Sequence, residues 1–521
     1  MDAPSIIQRA LISVSDKTHI VDFAKQLQQL GIEIISTGGT AHLLQEQGVP
    51  VIKVEDFTGF PEIMNGRVKT LHPKIHGGIL GRRDQDFQVM IDHGIDDIDL
   101  VVVNLYPFQT TTERHDSTFD EAIEHIDIGG PTLIRAAAKN HIWTAVVVDP
   151  HDYPSIIDEL QHATGLSATT RQQLATKAFT HTAQYDTAIA NYFTQQQSNS
   201  TFTAIFTPSF SLENQLRYGE NPHQAAALYK EIGSAQQQTL LHSQILQGKA
   251  LSFNNILDAD AALSCIKTFI EPACVIVKHS NPCGVALGHS LKQAYLKALK
   301  CDPMSSFGGI IAFNGSVTMA LLQVIFEQQF VEVIIAPTFT PEALILAQTK
   351  PNVRLLATGT WSTNVGSAQL DFKRIAGGLL VQTADLEAPD LNYTVVTQTQ
   401  PTPEQWQDLR FSWEVARFVK SNAIVYAANL QTLGIGAGQM SRIFSAEIAH
   451  LKAKASELNL QGAVMASDAF FPFEDSIELV AKLGITAIIQ PGGAKRDPQI
   501  IAQADKHQLA MVFTHCRHFN H

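Results

Sequence analysis

Arg9 to Thr40 reads RALISVSDKTHIVDFAKQLQQLGIEIISTGGT, and its rhythm decides the fold class of the first part of the chain. Arg9 to Ser15 has the apolar, β-branched density of a strand. The next segment places Ile20, Phe23, Ala24, Leu27 and Leu30 on one helical face and stops at Gly31, a residue suited to the left-handed turn that ends helices. Ile32 to Ser36 is a second strand, and Thr37-Gly38-Gly39-Thr40 opens a short helix. Further out, Val49 to Val54, Leu100 to Leu105 and Thr144 to Val148 read as strands with helical segments between them. Strands alternating with helices predict a doubly wound parallel sheet.

Polar residues gather where these strands end. Ser13-Val14-Ser15-Asp16-Lys17 supplies hydroxyls and a cation at a helix start. Ser36, Thr37, Gly38, Gly39 and Thr40 supply hydroxyls and open backbone N–H groups where a helix dipole favours an anion. Neither GxxxxGK[ST] nor GxGxxG occurs, which argues against an NTPase loop or a dinucleotide fingerprint. Three more clusters follow. Asn65 to Pro73 is loop-like and carries Arg67, Lys69 and Thr70; Asn104 and Tyr106 belong to the strand-end segment NLYPF; Asp127-Ile128-Gly129-Gly130 precedes a helix bearing Arg135, Lys139 and Asn140. A glycine pair before a helix presents N–H donors to an oxyanion.

Thr194 to Thr203 (TQQQSNSTFT) is polar, low in complexity and reads as a domain boundary. Beyond it, Leu216 to Gln224 is turn-rich and holds Arg217, Tyr218 and His223 together, a composition that suits an anion and a ring. Val275 to Leu287 reads VIVKHSNPCGVAL. Its apolar start predicts a buried parallel strand that delivers Lys278 and His279 into a turn-rich segment, Ser280 to Gly284. An imidazole there takes a proton near neutrality, and the ammonium group meets developing negative charge. Cys283 reads as a small turn residue, since no base is dedicated to it. Val277-Lys278-His279-Ser280-Asn281 is echoed by Val419-Lys420-Ser421-Asn422, which predicts two related α/β units joined by residues 383–404. His515 to His521 has no spaced partner set for a metal and reads as a solvated or substrate-contacting tail.

The chain has 521 residues, 45% hydrophobic residues and a net charge of −13. That length predicts about three to four domains. The charge argues against a large nucleic-acid surface. Five cysteines without a CxxC pair point to a reducing cytoplasm rather than a disulfide framework. No extended apolar leader and no membrane-length run is expected to engage a membrane.

The segments SVSDK, STGGT, GRVKTLHPKIHGGIL, NLYPF, IDIGGPTLIRAAAKN, LRYGENPHQ, FNNILDADAA, VKHSNPCG, DPMSSFGGIIAFN, VKSNAIVYA, GIGAGQMSR, DAFFPF and IQPGG, in this order, resemble one family over essentially the whole chain. It is the bifunctional purine-biosynthesis family that joins an aminoimidazolecarboxamide ribonucleotide (AICAR) formyltransferase to an IMP cyclohydrolase. The resemblance implies a methylglyoxal-synthase-like cyclohydrolase domain at 1–195. It also implies a formyltransferase domain at 196–521, with two cytidine-deaminase-like subdomains at about 205–385 and 400–521. It further implies 10-formyltetrahydrofolate as co-substrate, no catalytic metal, and a homodimer with shared formyltransferase sites acting on AICAR, formyl-AICAR and IMP.

By the same resemblance, Lys278, His279 and Asn422 serve formyl transfer, and Lys69, Tyr106, Asp127 and Lys139 handle protons in ring closure. Ser13, Lys17, Ser36, Thr37, Gly38, Gly39, Thr40, Arg67, Thr70, Asn104, Ile128 and Gly129 match the nucleotide site of the first domain. Arg217, Tyr218, His223, Phe307 and Gly308 match that of the second, and Arg442, Phe470, Asp475 and Phe519 match folate and dimer-contact positions. The ending THCRHFNH, Glu474 after FFPF, and Phe444 and Glu447 after GQMSR depart from the family pattern. A zinc nucleobase deaminase needs HxE and PCxxC segments. The chain has neither.

Overall fold

The structure, a computed structural model, describes residues 5–106, 108–112, 117–163, 165–197, 201–232, 239–361, 370–385 and 392–521. Pro107 of the NLYPF segment, residues 198–200 of the expected boundary and 386–391 of the expected connector lie outside the described residues. The chain divides into two compact units, Met1–Phe210 with Glu231–Gly233, and Ser211–Lys230 with Ser234–His521. The helix Ala168–Gln197 takes in the start of the expected boundary segment.

In the first unit five strands lie in the order Ile52–Lys53, Glu33–Ser36, Arg9–Val14, Leu100–Asn104 and Ala145–Val147, all parallel. Successive strand residues face opposite sides. Ala10, Ile12 and Val14 pack with Phe23 and Leu27 of helix Ile20–Gln29 and with Ile156 of helix Tyr153–His162. Leu11, Val101 and Val103 pack instead with Ile75 and Ile79 of helix Pro73–Leu80 and with Leu133 of helix Gly129–Lys139. Both faces are covered, as the alternation of elements predicts. The expected strand Val49–Val54 shrinks to two residues at the sheet edge, and Val54–Thr58 is helical. Pro50 offers no N–H to a ladder, which limits pairing there.

The second unit is built on a twelve-stranded sheet that contains one arrangement twice. In each copy a helix with a capping box, Phe253–Ile266 or Pro403–Ala416, precedes an antiparallel hairpin. The hairpins are Ala273–Lys278 with Asn281–Leu287, and Ile424–Ala428 with Gln431–Gly436. A second helix follows, Leu291–Cys301 or Arg442–Ala455. Three strands, parallel to one another, complete each copy: Ile310–Phe313, Val333–Ala336 and Arg354–Ala357, then Val464–Ser467, Ala487–Gln490 and Ala510–Phe513. The copies meet at the antiparallel pair Ala286–Gln431. Close packing of helix on hairpin fixes a glycine in each. A Cβ on Gly284 would lie 2.0 Å from Ala298 O, and one on Gly434 would lie 2.1 Å from Ala449 O.

Three expectations need correction. Ala273–Lys278 is antiparallel to both neighbours, not parallel. A strand buried on both faces shows an unbroken apolar run whatever its direction. The turn-rich segment is only His279 and Ser280; Asn281–Leu287, with buried Cys283, is the return strand. One strand-and-helix arrangement occurs twice, but the echo pairs the wrong residues. Lys278 pairs with Asn281 across its hairpin as Ala428 pairs with Gln431, so the counterpart of His279 is Asn429 and not a residue of Lys420-Ser421-Asn422.

Candidate functional site

In the first unit the polar strand ends gather at the carboxyl edge of the parallel sheet, where open α/β sheets bind ligands. Asn104 accepts the N–H groups of Ser15 (2.6 Å) and Asp16 (2.9 Å) on Oδ1 and so shapes the loop after the first strand. Ser13 and Thr37 hydroxyls are 2.9 Å apart. Two expected ligand contacts are occupied within the fold. Ser36 is fully buried and donates to Ile12 O (2.7 Å), and Thr40 donates to Val14 O (3.1 Å) while accepting from Lys17 Nζ (2.8 Å). Burial lowers the Lys17 pKa. Gly38 and Gly39 remain open at the start of helix Gly38–Glu46.

Lys69 reaches this helix start, since a Cβ on Gly38 would lie 3.4 Å from its Nζ. The same ammonium group pairs with Glu62 at 3.1 Å, and Arg67 pairs with Glu124. Thr70, the next residue, is buried, and its hydroxyl lies 3.0 Å from where a Gly129 Cβ would be. At Gly129 the third cluster begins. Asp127 accepts Gly130 N–H (2.8 Å) and is also bonded by the Tyr106 and Gly129 N–H groups. Its own N–H donates to Tyr185 Oη at 2.8 Å. Burial raises the Asp127 carboxyl pKa, and the three N–H bonds oppose that rise. Tyr106 and Ile128 are exposed beside it.

The structure thus links Thr37-Gly38, Lys69-Thr70 and Asp127-Gly129-Tyr106 in one chain of neighbours. It does not bring Lys139 to them. Lys139 ends the eleven-residue helix that Gly129 begins. At 1.5 Å per residue, the two ends are about 15 Å apart. Glu62 and Tyr185 were not foreseen, because neither stands in a strand-end motif.

In the second unit a cleft of about 380 Å³ is lined by Lys278, His279, Asn281, Pro282, Cys283, Ser305, Ile435, Ala437 and Lys452. His279 stands exposed at the tip of the two-residue turn. Lys278 donates to Phe307 O at 2.8 Å and holds the Phe307-Gly308 loop beside the cleft. Lys452 pairs with Asp302 at 3.1 Å. Cys283 is buried, and desolvation pushes its thiol up to about 12. It is a strand residue with little thiolate character, not the turn residue expected.

Arg217 lies over the Tyr218 ring at 5.7 Å, in the same turn-rich loop as His223. Asn254 ties this loop to helix Phe253–Ile266 through Glu220 O at 3.3 Å. Asn422 does not line the cleft. Its Nδ2 donates to Gln439 O (2.8 Å), and its carbonyl accepts from Ser445 Oγ (2.8 Å). The segment still touches the first hairpin, where Lys420 N–H donates to Asn281 Oδ1 at 2.9 Å.

Arg442 is turned inward, bonded to Asp468 (2.6 Å) and Ser467 (2.8 Å). Phe470, Asp475 and Phe519 are exposed, with Arg517 stacked over the Phe519 ring at 4.2 Å. The final segment, expected as a solvated or substrate-contacting tail, exposes His515, Arg517, Phe519 and His521 but is anchored at two points. His518 is 2% exposed and bonded to Asp385 at 2.7 Å, and Lys420 Nζ holds Asn520 Oδ1 at 2.9 Å. Its apolar partner Trp413, 5.1 Å away, lies too far back in sequence to be inferred. Among the described residues no group of three or more His, Cys, Asp or Glu is placed to hold a metal ion. Among them, too, no helix is long and apolar enough to cross a membrane.

Two family models match the chain. The AICARFT/IMPCHase bienzyme model covers residues 137–452, and an MGS-like domain model covers residues 19–132. A solved structure titled "Crystal structure of ForH" is 36% identical over 36% of this chain and 99% of that chain, with a TM-score of 0.33. That score supports no argument about fold.

Proposed function

The chain belongs to the AICARFT/IMPCHase bienzyme family, an enzyme with formyltransferase and IMP cyclohydrolase activities and an MGS-like first domain, and from that premise we propose how its residues divide the work. The second unit transfers the formyl group of 10-formyltetrahydrofolate to the 5-amine of AICAR. The first unit closes formyl-AICAR to IMP with loss of water. The observation that carries the transfer reading is the cleft into which a hairpin tip presents Lys278 and His279.

The amine of AICAR is a poor nucleophile, because its lone pair is delocalised into the carboxamide-bearing ring. His279 takes its proton as the nitrogen attacks the formyl carbon. Lys278 assists the return of a proton to the folate nitrogen as the carbon–nitrogen bond breaks. Asn422 donates to the formyl oxygen once it exchanges its bond to Gln439. Arg217, Tyr218 and His223 hold the nucleotide, with Phe307 and Gly308 beside it. Phe470, Asp475 and Phe519 contact the folate, while Arg442 acts on that surface only through Asp468 and Ser467. Two copies of the chain complete the transfer sites.

In ring closure the carboxamide nitrogen attacks the formyl carbon and the new carbinolamine loses water. Asp127, Tyr106 and Lys69 handle the protons, and the N–H groups at Ile128-Gly129 hold the developing oxyanion. Arg67, Thr70, Ser13, Thr37, Gly38 and Gly39 bind the phosphate and ribose. Lys17, Ser36, Thr40 and Asn104 shape that site from behind. Lys139, about 15 Å from Gly129 along its helix, is assigned only a supporting part. Lys69→Ala is therefore expected to slow closure by about 10² or more, with Lys139→Ala much milder. Equal losses in a single-turnover closure assay would restore Lys139 to the site. Because burial raises the Asp127 pKa, the acid limb of the closure rate is expected above the ordinary value of 3.8. A limb unchanged in Asp127→Asn would assign it to another group.

The deciding experiment follows tetrahydrofolate release and IMP formation separately, with purified protein, AICAR and 10-formyltetrahydrofolate. Both signals are expected. Tetrahydrofolate release while formyl-AICAR accumulates would contradict the assignment of closure to the first unit. Absence of both signals with AICAR bound would contradict the whole reading.

A further inference from the structure

The turn that carries His279 is held from behind by a carboxylate that does not line the cleft. Asp258, on helix Phe253–Ile266, accepts His279 N–H at 3.1 Å and Ser280 N–H at 2.7 Å on its two oxygens. The Ser280 hydroxyl adds a third contact at 3.3 Å. Both turn residues have positive φ, 55° for His279 and 57° for Ser280. A residue with a Cβ enters that region only at a cost, so an isolated turn of this sequence has better alternatives. The bidentate acceptor selects the strained turn and aims its tip. Apart from Asp258, the tip is restrained by Asn281 Nδ2 on His279 O at 3.1 Å.

The same helix face also meets the nucleotide-type loop. Asn254 and Asp258 are four residues apart and share one face. The first holds Glu220 O at 3.3 Å and the second holds the His279 turn. One rigid element therefore relates the loop of Arg217, Tyr218 and His223 to the proton-handling tip. We infer that Asp258 is a positioning residue for formyl transfer, acting through the backbone of His279; the inference rests on the role proposed for His279 above.

The sister copy supplies an internal control. Asp408 on helix Pro403–Ala416 accepts Asn429 N–H at 2.9 Å and Leu430 N–H at 2.7 Å, and both residues again have positive φ. Asp408 does for a tip without imidazole what Asp258 does for one with it. A purely structural role makes the two aspartates equivalent, whereas a positioning role separates them in kcat.

The test uses the full chain with Asp258→Asn, Asp258→Glu, Asp408→Asn and His279→Ala, reading Tm together with kcat and KM for tetrahydrofolate release. An asparagine keeps one acceptor oxygen and leaves one turn N–H unmet. Asp258→Asn and Asp408→Asn are expected to lose similar amounts of Tm. Asp258→Asn alone is expected to lower kcat, by about 10², the scale of a 1 Å misplacement, with KM for AICAR little changed. Asp258→Glu keeps both acceptors but pushes the turn outward, and is expected to lower kcat with a smaller loss of Tm; it decides the question should Asp258→Asn not fold. Equal kcat in the Asp258 and Asp408 variants, or a loss confined to KM, would overturn the inference while the His279 reading stands. Normal transfer by His279→Ala would overturn both.

Discussion

The hairpin tipped by His279 and the hairpin tipped by Asn429 share their scaffold, yet the first brings its tip residue to the cleft and the second only Ile435 of its return strand, among the described residues. Each has a two-residue turn at positive φ, an aspartate accepting both turn N–H groups, a bulge on the return strand and a glycine pressed under a helix carbonyl. What differs is the tip and the space beside it. Lys278-His279 faces the cleft, whereas the second tip is Ala428-Asn429 and the Asn429 carbonyl is occupied by Lys297 Nζ at 2.8 Å. Lys297 also reaches Leu287 O at 3.4 Å and so spans the seam between the copies. The lesson is that the repeated part of this unit is architecture. On the function proposed above, its chemistry lies with the two residues of the first tip.

The largest effect should come from the tips themselves. His279→Ala is expected to cost about 10²–10⁴ in the rate of formyl transfer, the usual value of a placed acid–base group. Asn429→Ala should leave that rate alone and lower stability by about 1 kcal/mol, because alanine tolerates the left-handed region less readily than asparagine. Comparable rate losses in a tetrahydrofolate-release assay would break the comparison.

The glycines come next. Gly284→Ala and Gly434→Ala each force a Cβ onto a backbone carbonyl, and both should lower stability by about 1–3 kcal/mol or more. Gly284 lies on the strand that supplies Asn281, Pro282 and Cys283 to the cleft, and Gly434 adjoins Ile435, which lines the same cleft, so both variants should lose transfer rate beyond their loss of folded protein, Gly284→Ala the more. Chemical denaturation read beside activity separates the two.

Lys297→Met should have the smallest effect, about 1 kcal/mol, because it removes charged hydrogen bonds at a partly exposed site. Transfer should not change, and a large fall in rate would mean that the second copy shares in the chemistry.

Much of this was legible in the sequence, and the failures have definite physical causes. The parallel sheet of the first unit follows from strand and helix periods that local side chains impose. Pro50 shortened an expected strand through a missing N–H, which a propensity reading passes over. The direction of Ala273–Lys278 was not legible, since burial on both faces erases the alternation that betrays antiparallel pairing. VKHSN and VKSN misled through similar spelling, while the true counterpart, Ala428-Asn429, shares shape with Lys278-His279 but no letters. Asp258 was invisible for a related reason. It recognises backbone N–H groups, and those carry no residue identity.

The seam between the copies has a consequence for anyone who would divide the chain. Asn281–Leu287 and Gln431–Gly436 are interior strands of the sheet, almost entirely buried, and they face each other across Ala286–Gln431, with Thr432 Oγ1 bonded to both the N–H and the carbonyl of Val285. Either copy expressed alone would carry one of these strands as a raw border, apolar and with unspent N–H and C=O groups. Such borders recruit strands from other molecules. A chain severed between the copies should therefore precipitate or pair with itself, and co-expression of both pieces should rescue solubility by returning each border to its mate.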